Sequence, residues 1–309
     1  MSREASTRGR WRSIPACRAT EGVGCPGARD EPVLLSVGGV AGHSPARVTD
    51  LIVARTDGVA RVTLARPPLN ILTPALIDAV GGVFRDLARD PAGLRAVVLA
   101  GSGRAFSAGV DVQTMRDLDV PRARALIGRL HAAIAAVREC PVPVVARLHG
   151  HVLGGALELS LGADLRLAAA SCRLGMPEIE VGIPSVIEAA LLPGLVGWGR
   201  TAELLLLGES VEAPEAERWG LVNRAVPDDA LDGEVDRWIG RLAALPPGAV
   251  RQQKALLGHW RQIDLDSAIA LSMDAFARAY ATDEPRRAMQ AFLERGRAGT
   301  DRSERATDP

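Results

Sequence analysis

The sequence predicts an α/β fold. Short β-rich segments alternate with helical ones between about residues 51 and 169, and several of the strands are apolar throughout. After residue 185 the chain turns almost wholly helical. Leu51–Arg55 and Val59–Ala65 are β-branched and alternating, and Asp57-Gly58 between them is a hairpin turn signal. Pro74 opens a helix through about Ala88 with Thr73 as N-cap, because a first helical turn has no use for the N–H that proline lacks. The unbroken apolar run Ala96–Ala100 predicts a buried strand. A helix over 121–139, a strand over Val142–Arg147, a Gly154-Gly155 turn into a short helix and a strand over Asp164–Ala169 complete the alternation. Further helices are predicted near 187–196, 198–207, 213–219, 228–244, 247–259, 263–281 and 284–297. The last two carry few residues able to close a core of their own, which predicts packing on a neighbouring subunit.

Three regions follow from this pattern. Residues 1–47 mix Gly, Pro, Ser and Arg without period and read as a disordered N-terminal extension. An Arg-rich organellar targeting peptide is the competing reading, and it lacks an amphipathic period. Residues 48–245 form the α/β core and 246–309 a C-terminal helical region. No internal repeat of fixed period is present.

Composition narrows the function. Apolar residues make up 47 % and charged residues 24 % of 309, as in ordinary soluble globular proteins. Thirty-seven basic and thirty-seven acidic residues cancel, and the body carries no basic stripe, so nucleic acid is not expected as a partner. No apolar run approaches the roughly 20 residues that span a bilayer, so no membrane association is expected. Cys17, Cys25, Cys140 and Cys172 show no metal-ligand spacing, which points to a reducing compartment and to no metal site. Every basic residue but Lys254 is Arg, a sign of GC-rich codons and a bacterial source. The expected location is the bacterial cytoplasm, or the mitochondrial matrix in a eukaryote.

The candidate chemistry lies at three turns of small residues. Ala105-Phe106-Ser107-Ala108-Gly109-Val110-Asp111 follows the strand ending at Ala100, and its lack of bulk lets a ligand approach the backbone, with the Ala108 N–H as a donor to a bound carbonyl. Gly154-Gly155 heads the helix carrying Glu158, and free N–H groups at a helix start suit an oxygen that gains negative charge. Glu158 sits one turn into that helix among Leu157, Leu159 and Leu161, where burial raises a carboxyl pKa towards a useful range. Glu178 follows Pro177, with Glu180 and Glu188 nearby. Two donor turns and two acids suit an enzyme that makes and breaks enolates.

These segments resemble the enoyl-CoA hydratase/isomerase (crotonase) superfamily over roughly residues 48–300. Phe106–Asp111 is similar to its first oxyanion segment, Gly150–Asp164 to its second, and Met176–Pro184 to the segment carrying its second glutamate. The resemblance implies a spiral of β/α turns with a C-terminal helical trimerisation region, assembled as a homotrimer or homohexamer. It implies an acyl-CoA thioester substrate held by the N–H groups of Ala108 and Gly155, with Glu158 activating water and Glu178 delivering a proton to the α-carbon. It implies no cofactor, coenzyme A being part of the substrate. Asn70, Ile71 and Leu72 resemble the loop that lies against CoA; Ala105, Phe106, Ser107, Asp111 and Gly154 belong to the matched segments. Lys254 and Arg295 match basic positions that approach CoA phosphates, and Phe292 one that lines a neighbour's acyl pocket.

Retention of both glutamates favours the hydratase branch over an isomerase that moves a proton with one Glu. An RNA-binding relative is the remote alternative, against which the balanced charge argues. The chain departs from the pattern at Ile187-Glu188, where many hydratases have a Gly-Gly turn, which leaves the acyl preference open. Glu188 reads as a helix-surface residue, with a third acid in the site as the alternative.

Overall fold

Asp57 and Gly58 both take positive φ, 50° and 79°, and so close a tight hairpin between β1 (Leu51–Thr56) and β2 (Val59–Leu64). The structure is a computed structural model that describes residues 50–305; the expectations for residues 1–47 lie outside them. From β2 onwards the main sheet is parallel. β3 (Ala96–Gly101), β4 (Val144–Leu148) and β6 (Leu165–Ala169) follow one another, and β3, buried along its whole length, lies between β2 and β4.

Each crossover carries a helix whose start the sequence dictates. In α1 (Pro74–Arg89) the Thr73 hydroxyl accepts the Leu76 N–H at 3.2 Å, and Leu76, Ile77, Val80, Phe84 and Leu87 form its buried face. A short α2 (Val112–Arg116) is capped by Asp111. Asp119 caps α3 (Val120–Arg138) by accepting from Arg122 N. α1 and α3 pack on each other over the sheet.

A second, three-stranded sheet was invisible in the sequence. β5 (His151–Leu153) and β7 (Arg173–Gly175) pair in parallel, and α4 (Gly155–Leu161) starts where β5 ends. After α5 (Leu192–Leu207), β8 (Val211–Glu212) completes the small sheet as an antiparallel edge. α6 (Ala213–Trp219) then leads to β9 (Arg224–Val226), which closes the main sheet in the order β1-β2-β3-β4-β6-β9. The stretch after 185 is therefore less purely helical than its pattern predicts, since strands of two or three residues leave no periodic signal.

Two helices predicted as 187–196 and 198–207 appear as a 3-10 turn, Ile187–Leu191, and α5, which breaks at Gly197 (φ 76°, ψ 163°). The combined stretch Ile187–Leu207 has the length and apolarity of a membrane span, contrary to the expectation that no run comes near it. Glu188, the break at Gly197 and an Arg200–Glu203 ion pair at 2.6 Å interrupt it. The chain ends in α7 (Leu231–Ala244), α8 (Pro247–Trp260), α9 (Leu265–Ala279) and α10 (Glu284–Arg305). In α9 only Ala268 and Ala275 are buried. Ile269, Met273 and Phe276 stay exposed and, with Trp260 and Ile263, line an apolar cavity of about 800 Å³.

Candidate active site

The three-residue strand β5 brings the three turns together. On one side it pairs with β7 in the register Leu153–Gly175, and Gly154 N–H donates to the Gly175 carbonyl at 2.9 Å. On the other side Ser107 bridges Val152, with Ser107 N–H on His151 O and Leu153 N–H on Ser107 O. The loop 105–110, the Gly154-Gly155 turn and the 3-10 turn Pro177–Val181 therefore emerge side by side.

At this junction the two glutamates meet. A Cβ on Gly154 would collide with Glu178 Oε1, so only a glycine, here at φ 56°, lets Glu178 lie against the turn. Glu158, 2 % exposed, leans over the same turn: a Cβ on Gly155 would stand 3.9 Å from its Oε2. Its Oε1 accepts the Ala189 N–H at 3.1 Å. Ser185 Oγ donates to Glu178 Oε2 at 2.9 Å.

Burial pushes the Glu158 carboxyl up to about 8; the Ala189 N–H opposes this, and the charges of Glu178 and Glu188 add to it. Burial also raises Glu178, which the Ser185 hydroxyl restrains. Near neutral pH the pair thus holds a proton, mainly on Glu158, as expected of two close carboxylates in a dry pocket.

The oxyanion donors differ from expectation. Gly155 is the first residue of α4, so its N–H has no acceptor within the helix, and among the described residues it donates to no other backbone oxygen. The Ala108 N–H, expected to be free, donates instead to the Leu69 carbonyl at 2.9 Å. Asn70 accounts for this. Fully buried and at φ 48°, it donates through Nδ2 to the carbonyls of Ser102, Ala105 and Phe106 and accepts Arg66 N–H. It therefore straps the 67–70 loop across the 102–108 loop and lays Leu69 O on Ala108.

The side-chain amide of Asn70 is spent on this strap. Leu72, Ala105, Phe106 and Ser107 are buried and Ile71 half-buried, so this region can meet a ligand mainly through backbone. Asp111 caps α2, accepting from Gln113 N and Thr114 Oγ1.

Lys254 is not an exposed cation: its side chain is 9 % exposed and donates to Asp164 Oδ2 at 2.7 Å and to Val142 O at 2.8 Å. Arg295 lines a cavity between α10 and the α7–α8 junction with Arg95, Glu284 and Arg287, which includes neither Glu158 nor Glu178. Phe292 is 69 % exposed on α10. Glu188, expected on a helix surface, is 2 % exposed and close enough to act on Glu158. Ser185 and Ala189 were not foreseen as partners of the acids; their spacing from Pro184 and Glu188 was the only cue. Among the described residues no cluster of His, Cys, Asp or Glu is placed to hold a metal ion.

The family model for enoyl-CoA hydratase/isomerase matches residues 54–300. The chain is 32 % identical over 252 residues to crotonyl-CoA hydratase of Syntrophomonas wolfei subsp. wolfei, covering 81 % of this chain and 96 % of that one. It is 30 % identical over 251 residues to short-chain-enoyl-CoA hydratase of Clostridium acetobutylicum, covering 80 % and 96 %. Among solved structures, an enoyl-CoA hydratase of Mycobacterium smegmatis aligns with a TM-score of 0.77 at 34 % identity, covering 80 % and 96 %.

The raised Glu158 pKa has a consequence for stability. Between the unfolded value of about 4.3 and the folded value of about 8, the folded chain binds more protons, so stability falls as pH rises through that window. Glu158→Gln removes this penalty. In urea unfolding the variant should match the wild type near pH 4 and exceed it at pH 8, by on the order of a few kcal/mol. A stability difference that does not change with pH would contradict the burial of an ionisable group here.

Proposed function

The chain belongs to the enoyl-CoA hydratase/isomerase family, and from that premise we propose that it adds water across the 2,3 double bond of a 2-enoyl-CoA thioester. The product is the 3-hydroxyacyl-CoA, and the reaction also runs in reverse. One observation carries this reading: Glu158 and Glu178 converge on a single glycine turn that also presents an uncommitted helix N-terminal N–H.

The residues supply each part of the chemistry. The thioester oxygen would accept from Gly155 N–H, whose helix dipole favours the charge of the enolate. Ala108 is the second donor, shared with or released by the Leu69 carbonyl as substrate enters. A water held between the two carboxylates attacks C3 while Glu158, ionised, takes its proton. Electrons of the double bond move onto the thioester oxygen, and the enolate then collects a proton from Glu178 at C2. Hydration therefore ends with the proton on Glu158 and Glu178 ionised.

That final state is the one burial favours in the free site. It is also the starting state for dehydration, in which Glu158 protonates the leaving hydroxyl and Glu178 removes the C2 proton. Hydration begins once the shared proton has moved to Glu178, and the titration belongs to the pair rather than to either acid.

We place the exposed apolar face of α9 and the outer face of α10, including Phe292, against neighbouring copies in a homotrimer or homohexamer.

Hydration of crotonyl-CoA, followed by loss of the enoyl absorbance, tests the reading. Glu158→Gln and Glu178→Gln should each lose about 10²–10⁴-fold in kcat, and wild-type activity should decline above about pH 8 as the pair loses its last proton. An isomerase would instead act on a 3-enoyl-CoA and tolerate loss of one glutamate, and that result would overturn the proposal.

A further inference from the structure

Glu188 is buried in a position that a bystander would not occupy. The chain reaches it through Ile187, a β-branched residue held at φ 40°, a left-handed conformation that persists only where the surroundings impose it. Two side chains seven residues apart on α3 then hold the carboxylate. His131 Nδ1 lies 2.8 Å and Arg138 Nη1 3.7 Å from the same oxygen, Oε1. The other oxygen, Oε2, is buried without a hydrogen-bond partner among the described residues.

The residue that follows completes the arrangement. Ala189 N–H is shared between Val186 O at 2.9 Å, which closes the 3-10 turn, and Glu158 Oε1 at 3.1 Å. The turn is therefore fastened to α3 by the side chain of Glu188 and to Glu158 by the next N–H. A tie to α3 alone does not account for a carboxylate buried with one oxygen lacking a partner among the described residues, because such burial is unfavourable. A negative charge kept near Glu158 has a use only if Glu158 responds to it.

We propose that Glu188 is a positioning residue for Glu158: fastened to α3 through His131 and Arg138, it fixes the 187–191 turn so that Ala189 N–H pins Glu158 Oε1, and it sets a negative charge beside that carboxylate. This rests on Glu158 acting as one of the acid–base pair. Pinning Oε1 leaves Oε2 for the proton, and the added charge favours the protonated Glu158 from which dehydration starts.

Glu178 meets Glu158 from the 177–181 turn, and α4 carries no other ionisable residue. On α5, Arg200 and Glu203 pair with each other at the surface.

Carbon-13 NMR of glutamate-labelled full-length protein reads the effect without relying on turnover. The Glu158 carboxyl resonance is identified by its loss in Glu158→Gln and titrated in wild type, Glu188→Gln and Glu188→Ala. Glu188→Gln keeps the volume and an acceptor for His131 while removing the charge. It should lower the Glu158 midpoint by about half a unit or more and leave KM for the enoyl-CoA unchanged. Glu188→Ala also removes the brace and should lower kcat by about tenfold or more, with KM within about twofold.

A Glu158 midpoint identical in wild type and Glu188→Gln, or a loss confined to thermal stability, would overturn the proposal. If the midpoint moves as expected while the wild type hydrates no 2-enoyl-CoA, the positioning role stands and the assigned reaction falls. Should Glu188→Ala fail to fold, the isosteric Glu188→Gln decides alone.

Discussion

The site depends on the pairing of one three-residue strand. His151–Leu153 is bonded to β7 on one flank and bridged to Ser107 on the other, and both pairings are parallel. Parallel register delivers the C-terminal ends of neighbouring segments to one edge, the side of an α/β sheet where ligands are usually held. Residues 108, 155 and 178, far apart in sequence, are neighbours for that reason. Gly154 makes the final approach possible, because any side chain there would displace the Glu178 carboxylate.

Desolvation then gives the pair its chemistry. Water is excluded around Glu158, so its ionised form is penalised and a proton stays in the pocket at neutral pH. The same exclusion makes each remaining dipole count: Ala189 N–H on one acid, Ser185 Oγ on the other, and Gly155 N–H at the head of α4. The destabilisation is offset by the core beneath, where β3, β4 and α4 are almost wholly buried. Asn70 supports the site from outside it, by fixing the loop that presents Ala108.

Much of this was legible in the sequence, and the limits have physical causes. The α/β class, the hairpin at Asp57-Gly58, the capped start of α1 and the helix after Gly154-Gly155 follow from local chemistry, and the fold matches crotonase structures with C-terminal helices. β5, β7, β8 and β9 escaped because they are too short to show a period. Both glutamates could be named from their turns, whereas Ser185, Ala189 and the burial of Glu188 depend on how the 3-10 turns fold back. The ion pair of Lys254 with Asp164 was not legible, because the two residues lie 90 apart in sequence. The strap made by Asn70 was not legible either, because its amide binds four backbone groups and three of them lie more than thirty residues away.

In the proposed reaction one turn holds the thioester oxygen while two acids face the carbons beside it. A crystal structure of the protein with acetoacetyl-CoA, a stable acyl-CoA thioester, tests this most directly. The thioester oxygen should lie within hydrogen-bond distance of the N–H groups of Gly155 and Ala108, with Leu69 O drawn back and Glu158 and Glu178 flanking the acyl carbons. A thioester bound away from Gly155, or an acyl chain that reaches neither glutamate, would contradict it.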